Sequence, residues 1–206
     1  MAESIRHKTG VFGGTFDPVH IGHLFIARAA YEALGLEKVI FIPTGKTIHK
    51  RNRIGASDEE RVEMLELALA SEPDYDIDPI EIEAEEYSFS YRTMQRLAEM
   101  HPENEYYFLI GEDSLRDLSS WRCPEELVKH CHIAVAGRMG YSDIPVEELM
   151  EKQRQTIGGD YVFVECPYID ISSSEIRKRV SEGKTIRYYT PDDVIEYIRN
   201  KKLYVQ

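Results

Sequence analysis

Two histidines three residues apart, His20 and His23, follow the paired glycines Gly13 and Gly14, then Thr15, Phe16 and an Asp17-Pro18 dipeptide. Glycines let the backbone come close to a ligand, and the amides and dipole at the start of a helix attract an anion. Phosphate is the natural occupant. If a helix opens at His20, positions i and i+3 share one face and both imidazoles can reach the same phosphate group. A lone histidine is more often a capping or packing residue. Here the paired histidines, paired glycines and Asp-Pro turn cluster at the end of a first strand, where doubly wound folds bind ligands. A zinc pair is the weaker reading, because metal-binding histidines usually stand at i, i+4 with further ligands nearby.

The elements that must hold these residues are legible as an alternation. Short β-branched or aromatic runs at 9–12, 38–43, 77–82, 106–110, 132–136 and 161–164 predict strands. Helical patterns cover 20–34, 58–70 and 91–100, the second opened by a Ser57-x-x-Glu60 capping box. Such alternation predicts a parallel sheet covered on both faces by right-handed crossovers, an α/β fold of the Rossmann-like doubly wound kind. Residues 173–182 and 191–201 read as two helices with no strand after them, a small helical appendage, with Thr190-Pro191 as the start signal of the second. Segments 45–56 and 137–146 carry the weakest structural signal.

Length and composition bound the rest. At 206 residues and 42% hydrophobic, the chain is expected to form one compact domain over 1–206, with 173–206 as its appendage. Charged residues make up 30% of it, its mean hydropathy is −0.42, and no apolar run approaches the roughly 18 residues that span a bilayer. The first residues, Met1 to Arg6, do not read as a secretory signal, so a cytoplasmic location is expected. Cys123, Cys131 and Cys166 form no CxxC pair and are expected as buried thiols. A net charge of −12 argues against a broad nucleic-acid surface and leaves monomer and homo-oligomer both open. An anion site must then be locally basic. Gly45-Lys46-Thr47 and Gly183-Lys184-Thr185 imitate the end of a Walker A loop, but Ile40 and Lys178 stand where its first glycine must be.

The run from Gly13 to His23, GGTFDPVHIGH, resembles the GxFDxxHxGH signature of the HxGH nucleotidyltransferase superfamily. A second segment, Ile171-Ser172-Ser173-Ser174-Glu175-Ile176-Arg177, is similar to that superfamily's ISSTxIR motif. The resemblance implies that the hydroxyls of Ser173 and Ser174, the helix start and Arg177 hold ATP phosphates. Ser172 and Glu175 also have capping-box spacing, which is compatible with that role because it uses only one hydroxyl.

The acceptor is indicated further along. Gly111-Glu112-Asp113 through Trp121, followed by Glu126-Leu127, resembles the G-x-D-x4-L-x2-W-x4-E-L segment of bacterial nicotinate-mononucleotide adenylyltransferases. His49-Lys50, Ser90-Tyr91 and Arg138 match that family's HK, SYT and R elements. This implies an enzyme of NAD biosynthesis that joins the AMP part of ATP, with Mg²⁺, to nicotinate mononucleotide. His20, His23 and Arg177 would be catalytic. Gly13, Gly14, Thr15, Phe16, Gly111, Asp113, Ser173 and Ser174 would complete the ATP site. His49, Lys50, Ser90, Tyr91, Trp121 and Arg138 would meet the mononucleotide, Trp121 by offering a flat face to the pyridine ring.

The plainer roles are core packing for Trp121, a helix N-cap for Asp113 and solvation for Lys50 and Arg138. The chain departs from the pattern at Arg92, where the family has threonine, and at Ser119, where it has proline. The first departure leaves acid and amide mononucleotides both open. Other readings are an adenylyltransferase with another acceptor, nicotinamide mononucleotide or phosphopantetheine, and a non-catalytic nucleotide-binding module.

Overall fold

The computed structural model describes residues 6–46, 55–137, 144–167 and 169–205. His49, Lys50 and Arg138 lie outside them. Among the described residues six strands form one parallel sheet: β1 (His7–Gly14), β2 (Lys38–Pro43), β3 (Tyr75–Ile77), β4 (Asn104–Gly111), β5 (His132–Gly137) and β6 (Tyr161–Glu165), in the order β3-β2-β1-β4-β5-β6. This is the expected doubly wound α/β architecture. The order reverses between β1 and β4, whose register pairs Thr9 with Tyr106 and Val11 with Phe108. Ligands in such sheets bind at the carboxyl ends of the strands flanking that reversal.

The strands read as near-continuous apolar runs because both faces are covered. Val11, Val39, Phe41, Ile133 and Val135 have no measurable exposure. The helices are α1 (Ile21–Leu34), α2 (Asp58–Leu69), α3 (Ser90–Met100), α4 (Glu112–Asp117), α5 (Pro124–Leu127), α6 (Val146–Ile157), α7 (Ser173–Ser181) and α8 (Asp192–Lys201). Among the described residues none is long and apolar enough to cross a membrane.

Two compact units partition the chain. One contains residues 1–13, 26–40 and 89–168, and the other 14–25, 41–88 and 169–206. In the first, β4, β5 and β6 pair in continuous register, from Tyr107 against His132 to Gly137 against Glu165. Gln153 of α6 is buried there, and its amide donates to the Leu115 and Arg116 carbonyls at 2.8 and 3.4 Å, closing the end of α4. In the second, α2 is capped as its sequence predicts: Ser57 Oγ accepts the Glu60 N–H, and the Glu60 carboxylate accepts the Ser57 N–H.

Some local expectations fail for identifiable reasons. The third strand stops at Ile77 and does not extend to 82, because Pro79 has no N–H for a ladder and the Asp78 carboxylate accepts the Ile80 N–H at 2.9 Å in a tight turn. Thr190 does not cap α8. Its buried hydroxyl donates instead to the Val19 carbonyl at 2.8 Å, and the helix enters from Pro191 without a side-chain cap. Cys131 and Cys166 are buried, but Cys123 is only half-buried, at a left-handed φ of 49° before α5.

Candidate active site

Buried polar side chains are tolerated where their hydrogen bonds are met, and several of those described here converge on the loop after β1. Asp17 and His20 lie in that loop, and Arg61 and Thr190 bond to it. Its path is forced. Phe16 takes a left-handed φ of 48°, its ring is 1% exposed, and a Cβ on Gly14 would sit 2.8 Å from the ring. Only glycine fits at 14. The Asp17-Pro18 bond is cis. With its ring buried, Phe16 can offer ATP no side-chain face. It packs edge-on against His23, centroids 4.9 Å apart, and so acts as the wall behind that histidine.

Arg61 fixes the loop from α2. Its guanidinium donates to the Thr15 carbonyl at 2.7 Å and the Thr44 carbonyl at 2.8 Å, and it pairs with Asp58 at 2.6 Å. A planar fork is suited to tying two backbone segments together. Nothing in the signature motif announces Arg61. The available signal was periodic: Arg61 falls on the buried face of α2 with Met64, Leu65, Ala68 and Leu69, a charge placed in an apolar stripe.

His20 immediately precedes α1 and His23 lies in its first turn. Their rings stack with centroids 3.6 Å apart at 24°. The His20 N–H donates to His23 Nδ1 at 3.2 Å, so that nitrogen is unprotonated and the neutral ring carries its proton on Nε2. Burial holds His20 down to about 4, and burial together with the neighbouring His20 holds His23 well below the usual histidine range. The pair is therefore neutral at pH 7. It adds no net positive charge to the loop.

Two amides at the start of α1 are already used, His20 N–H by His23 and Ile21 N–H by the Tyr189 carbonyl at 2.9 Å. The helix end offers fewer donors than its sequence suggests. The His20 Nδ1 is buried and lacks a hydrogen-bond partner among the described residues.

The neutral pair has a consequence for stability. In the unfolded chain both rings take up protons below their ordinary value near 6.5, while the folded rings do not until pH falls much further. Below about 6.5 the unfolded state binds more protons, so stability falls with pH, by up to about 1.4 kcal/mol per pH unit for each ring. Thermal melts of wild type and His20→Gln from pH 7 to 5 should show the loss reduced in the variant. Equal slopes would mean that His20 takes up its proton as readily in the fold as in the unfolded chain.

The ISSS segment reaches the same loop. Ser172 Oγ caps α7 by accepting the Glu175 N–H at 3.2 Å. Ser173 Oγ donates to the Pro18 carbonyl at 2.9 Å, and Arg177 donates to the Asp17 carbonyl at 2.6 Å and to Ser174 Oγ at 3.2 Å. Ser173 and Arg177 are thus tied to the loop, and Ser174 is held by Arg177. His20, His23, Ser173, Ser174 and Arg177 are thus joined through residues 17–23.

In the other unit, Gly111 precedes α4 and a Cβ there would meet nothing within 4 Å. Asp113 is exposed in the first turn of α4, past its cap position. Trp121 is half-buried, edge-on to Phe108 with centroids 6.3 Å apart, so it is not a fully enclosed core residue. Ser90 opens α3. The exposed Arg92 guanidinium donates from Nε to Tyr91 Oη at 3.0 Å and lies over the Phe89 and Tyr91 rings.

A cytidylyltransferase-like family model matches residues 11–179, from within β1 to Arg179 in α7. A relative from Geobacillus thermodenitrificans named a probable nicotinate-nucleotide adenylyltransferase is 42% identical over 197 residues, covering 96% of this chain and 86% of the relative. The chain belongs to the nicotinate-nucleotide adenylyltransferase family. Members of the family from Clostridium botulinum and Desulfitobacterium hafniense, with the same printed name, are 36% and 38% identical over 94% and 96% of this chain and 97% and 95% of theirs.

Among solved structures, Plasmodium falciparum nicotinic acid mononucleotide adenylyltransferase complexed with NaAD superposes with a TM-score of 0.80 at 21% identity, covering 97% of this chain and 98% of that one. At that identity the likeness concerns the fold. Membership of the family makes the chain a nucleotidyltransferase. Among the described residues no three His, Cys, Asp or Glu side chains converge as a metal cage.

Proposed function

We propose that the chain transfers AMP from ATP to nicotinate mononucleotide, giving nicotinate adenine dinucleotide and pyrophosphate. The observation that carries this is the stacked, neutral His20–His23 pair at the end of β1, in a chain that shares sequence with adenylyltransferases of that name over nearly its whole length. A phosphate oxygen of the mononucleotide attacks the α-phosphorus of ATP in line. The new P–O bond forms as the bond to the bridging oxygen breaks, and pyrophosphate departs with the electron pair. A phosphate monoester is already anionic near neutral pH, so no general base is needed. Catalysis is positioning and charge stabilisation.

His20 and His23 donate N–H to the α- and β-phosphates, while Arg177, Ser173 and Ser174 hold the β and γ groups. Gly13, Gly14 and Thr15 supply backbone close to the nucleotide, and Gly111 and Asp113 meet the adenosine ribose. Phe16 supports His23 from behind. Trp121 stacks on the pyridine, Ser90 and Tyr91 border its substituent, His49 meets the mononucleotide, and Lys50 and Arg138 neutralise its phosphate.

Asp17, the carboxylate of the motif, is already engaged by Ala56, Tyr204 and Arg177. The residues present therefore fit Mg²⁺ carried in on the triphosphate, where it would screen charge. We place this activity in one domain spanning 1–206 and in the cytoplasm.

The test offers Mg-ATP with nicotinate mononucleotide, nicotinamide mononucleotide and phosphopantetheine separately and follows pyrophosphate. Fast release with the first alone is expected, with sequential kinetics. Release with the amide alone or equally would move the specificity to the amide and point to Arg92. Release with phosphopantetheine alone, or with none despite ATP binding, would overturn the proposal in favour of another acceptor or a binding module. A ping-pong pattern would eliminate the direct transfer.

A further inference from the structure

Beyond α8 the chain turns back through two left-handed residues, Lys202 at φ 55° and Tyr204 at φ 62°. Non-glycine residues hold such a conformation where surrounding contacts compensate its strain. For Tyr204 those contacts are specific. Its side chain is buried, and its hydroxyl donates to Asp17 Oδ1 at 2.7 Å and lies 4.0 Å from the sulfur of Met64. Tyr204 also falls outside the 11–179 span of the family model.

Asp17 is where the loop is held from several sides. The same Oδ1 accepts the Ala56 N–H at 3.0 Å, Oδ2 lies 3.7 Å from Arg177 Nη1, and the Asp17 carbonyl accepts from that nitrogen at 2.6 Å. Gly55 comes so near that a Cβ there would collide with the carboxylate. Three residues later stands His20. A carboxylate shared by one amide, one arginine and one phenol has its orientation fixed, and with it the backbone that carries the histidines.

We propose that Tyr204 is a positioning residue for nucleotidyl transfer: its hydroxyl locks the Asp17 carboxylate, and through it Arg177 and the His20–His23 pair. Burial, then the charge of Asp17, raises the phenol far above its ordinary value, so the hydroxyl remains a donor at every working pH. This inference rests on the adenylyltransferase reading for its kinetic arm but not for its structural arm.

Tyr204→Phe removes one oxygen and keeps the ring that fills the site. With ATP and nicotinate mononucleotide, kcat should fall about tenfold while KM for ATP changes less than about threefold, since small misplacements at a reacting centre cost rate more than binding. In nuclear magnetic resonance spectra of the same variant, the His23 ring signals should shift and the Ala56 amide should exchange with solvent about tenfold faster. An unchanged kcat with a lowered melting temperature would reduce Tyr204 to a structural pin and overturn the proposal. Unmoved His23 and Ala56 signals would overturn it whatever the turnover. Wild-type inactivity with every acceptor would instead overturn the functional reading, leaving the two resonance measurements to decide on Tyr204.

Discussion

His23→Ala is expected to lower kcat by about 10² to 10³ while changing the affinity for ATP far less, because it removes one preorganised donor aimed at charge that grows during transfer. The geometry sharpens the expectation. His23 Nδ1 accepts the His20 N–H, so the variant also frees that amide and leaves the His20 ring without its stacking partner. Single-turnover measurement of pyrophosphate formation separates the chemical step from product release. A His23→Asn variant, which can still accept at the helix start and donate outward, should recover part of the loss. An unchanged single-turnover rate in the alanine variant would remove His23 from the reaction.

The second large effect lies away from the chemistry. Arg61→Met keeps much of the side-chain volume and deletes the bonds to the Thr15 and Thr44 carbonyls and the pair with Asp58. Arg61 is 4% exposed, so both part-buried carbonyls would face an apolar chain in place of the guanidinium, while Asp58 is about half exposed. A loss of about 3 kcal/mol follows from removing two part-buried hydrogen bonds donated by a charged group, or roughly 6–12 °C in melting temperature for a chain of this size. Arg61→Lys keeps the charge but cannot fork between two backbone segments, so it should fall between wild type and methionine. A lysine variant as stable as wild type would show that charge alone matters at this position.

Why the sequence disclosed some of this and hid the rest is a question of range. The HxGH and ISSS segments were readable because motif residues are close in sequence and their chemistry depends on spacing. The capping box at Ser57 and Glu60 was readable because it is complete within one turn. The central strands stood out because a strand covered on both faces has no polar alternation to confuse it. Residues 77–82 misled because Ile77, Ile80 and Ile82 mimic a strand, and only the proline at 79 said otherwise.

Helix α6 is marked at its ends by Pro145, the acidic pair Glu147 and Glu148, and Gly158, but its buried face carries Gln153 beside Val146 and Leu149, which weakens its apolar pattern. Arg61, Thr190 and Tyr204 were hidden for a different reason. Each makes its decisive bond to a residue 46, 171 or 187 positions away, and no local pattern encodes a partner at that distance. The same holds for the bonds of Ser173 and Arg177 to Pro18 and Asp17.

Trp121 is the only tryptophan in the chain, and it is neither sealed in the core nor fully in solvent. Indole emission excited at its red edge, where tyrosine does not absorb, therefore comes from a single ring resting edge-on against Phe108. In most proteins such a spectrum averages several emitters and reports nothing local. Here it is a built-in optical label on the segment that follows β4, present without any chemical modification.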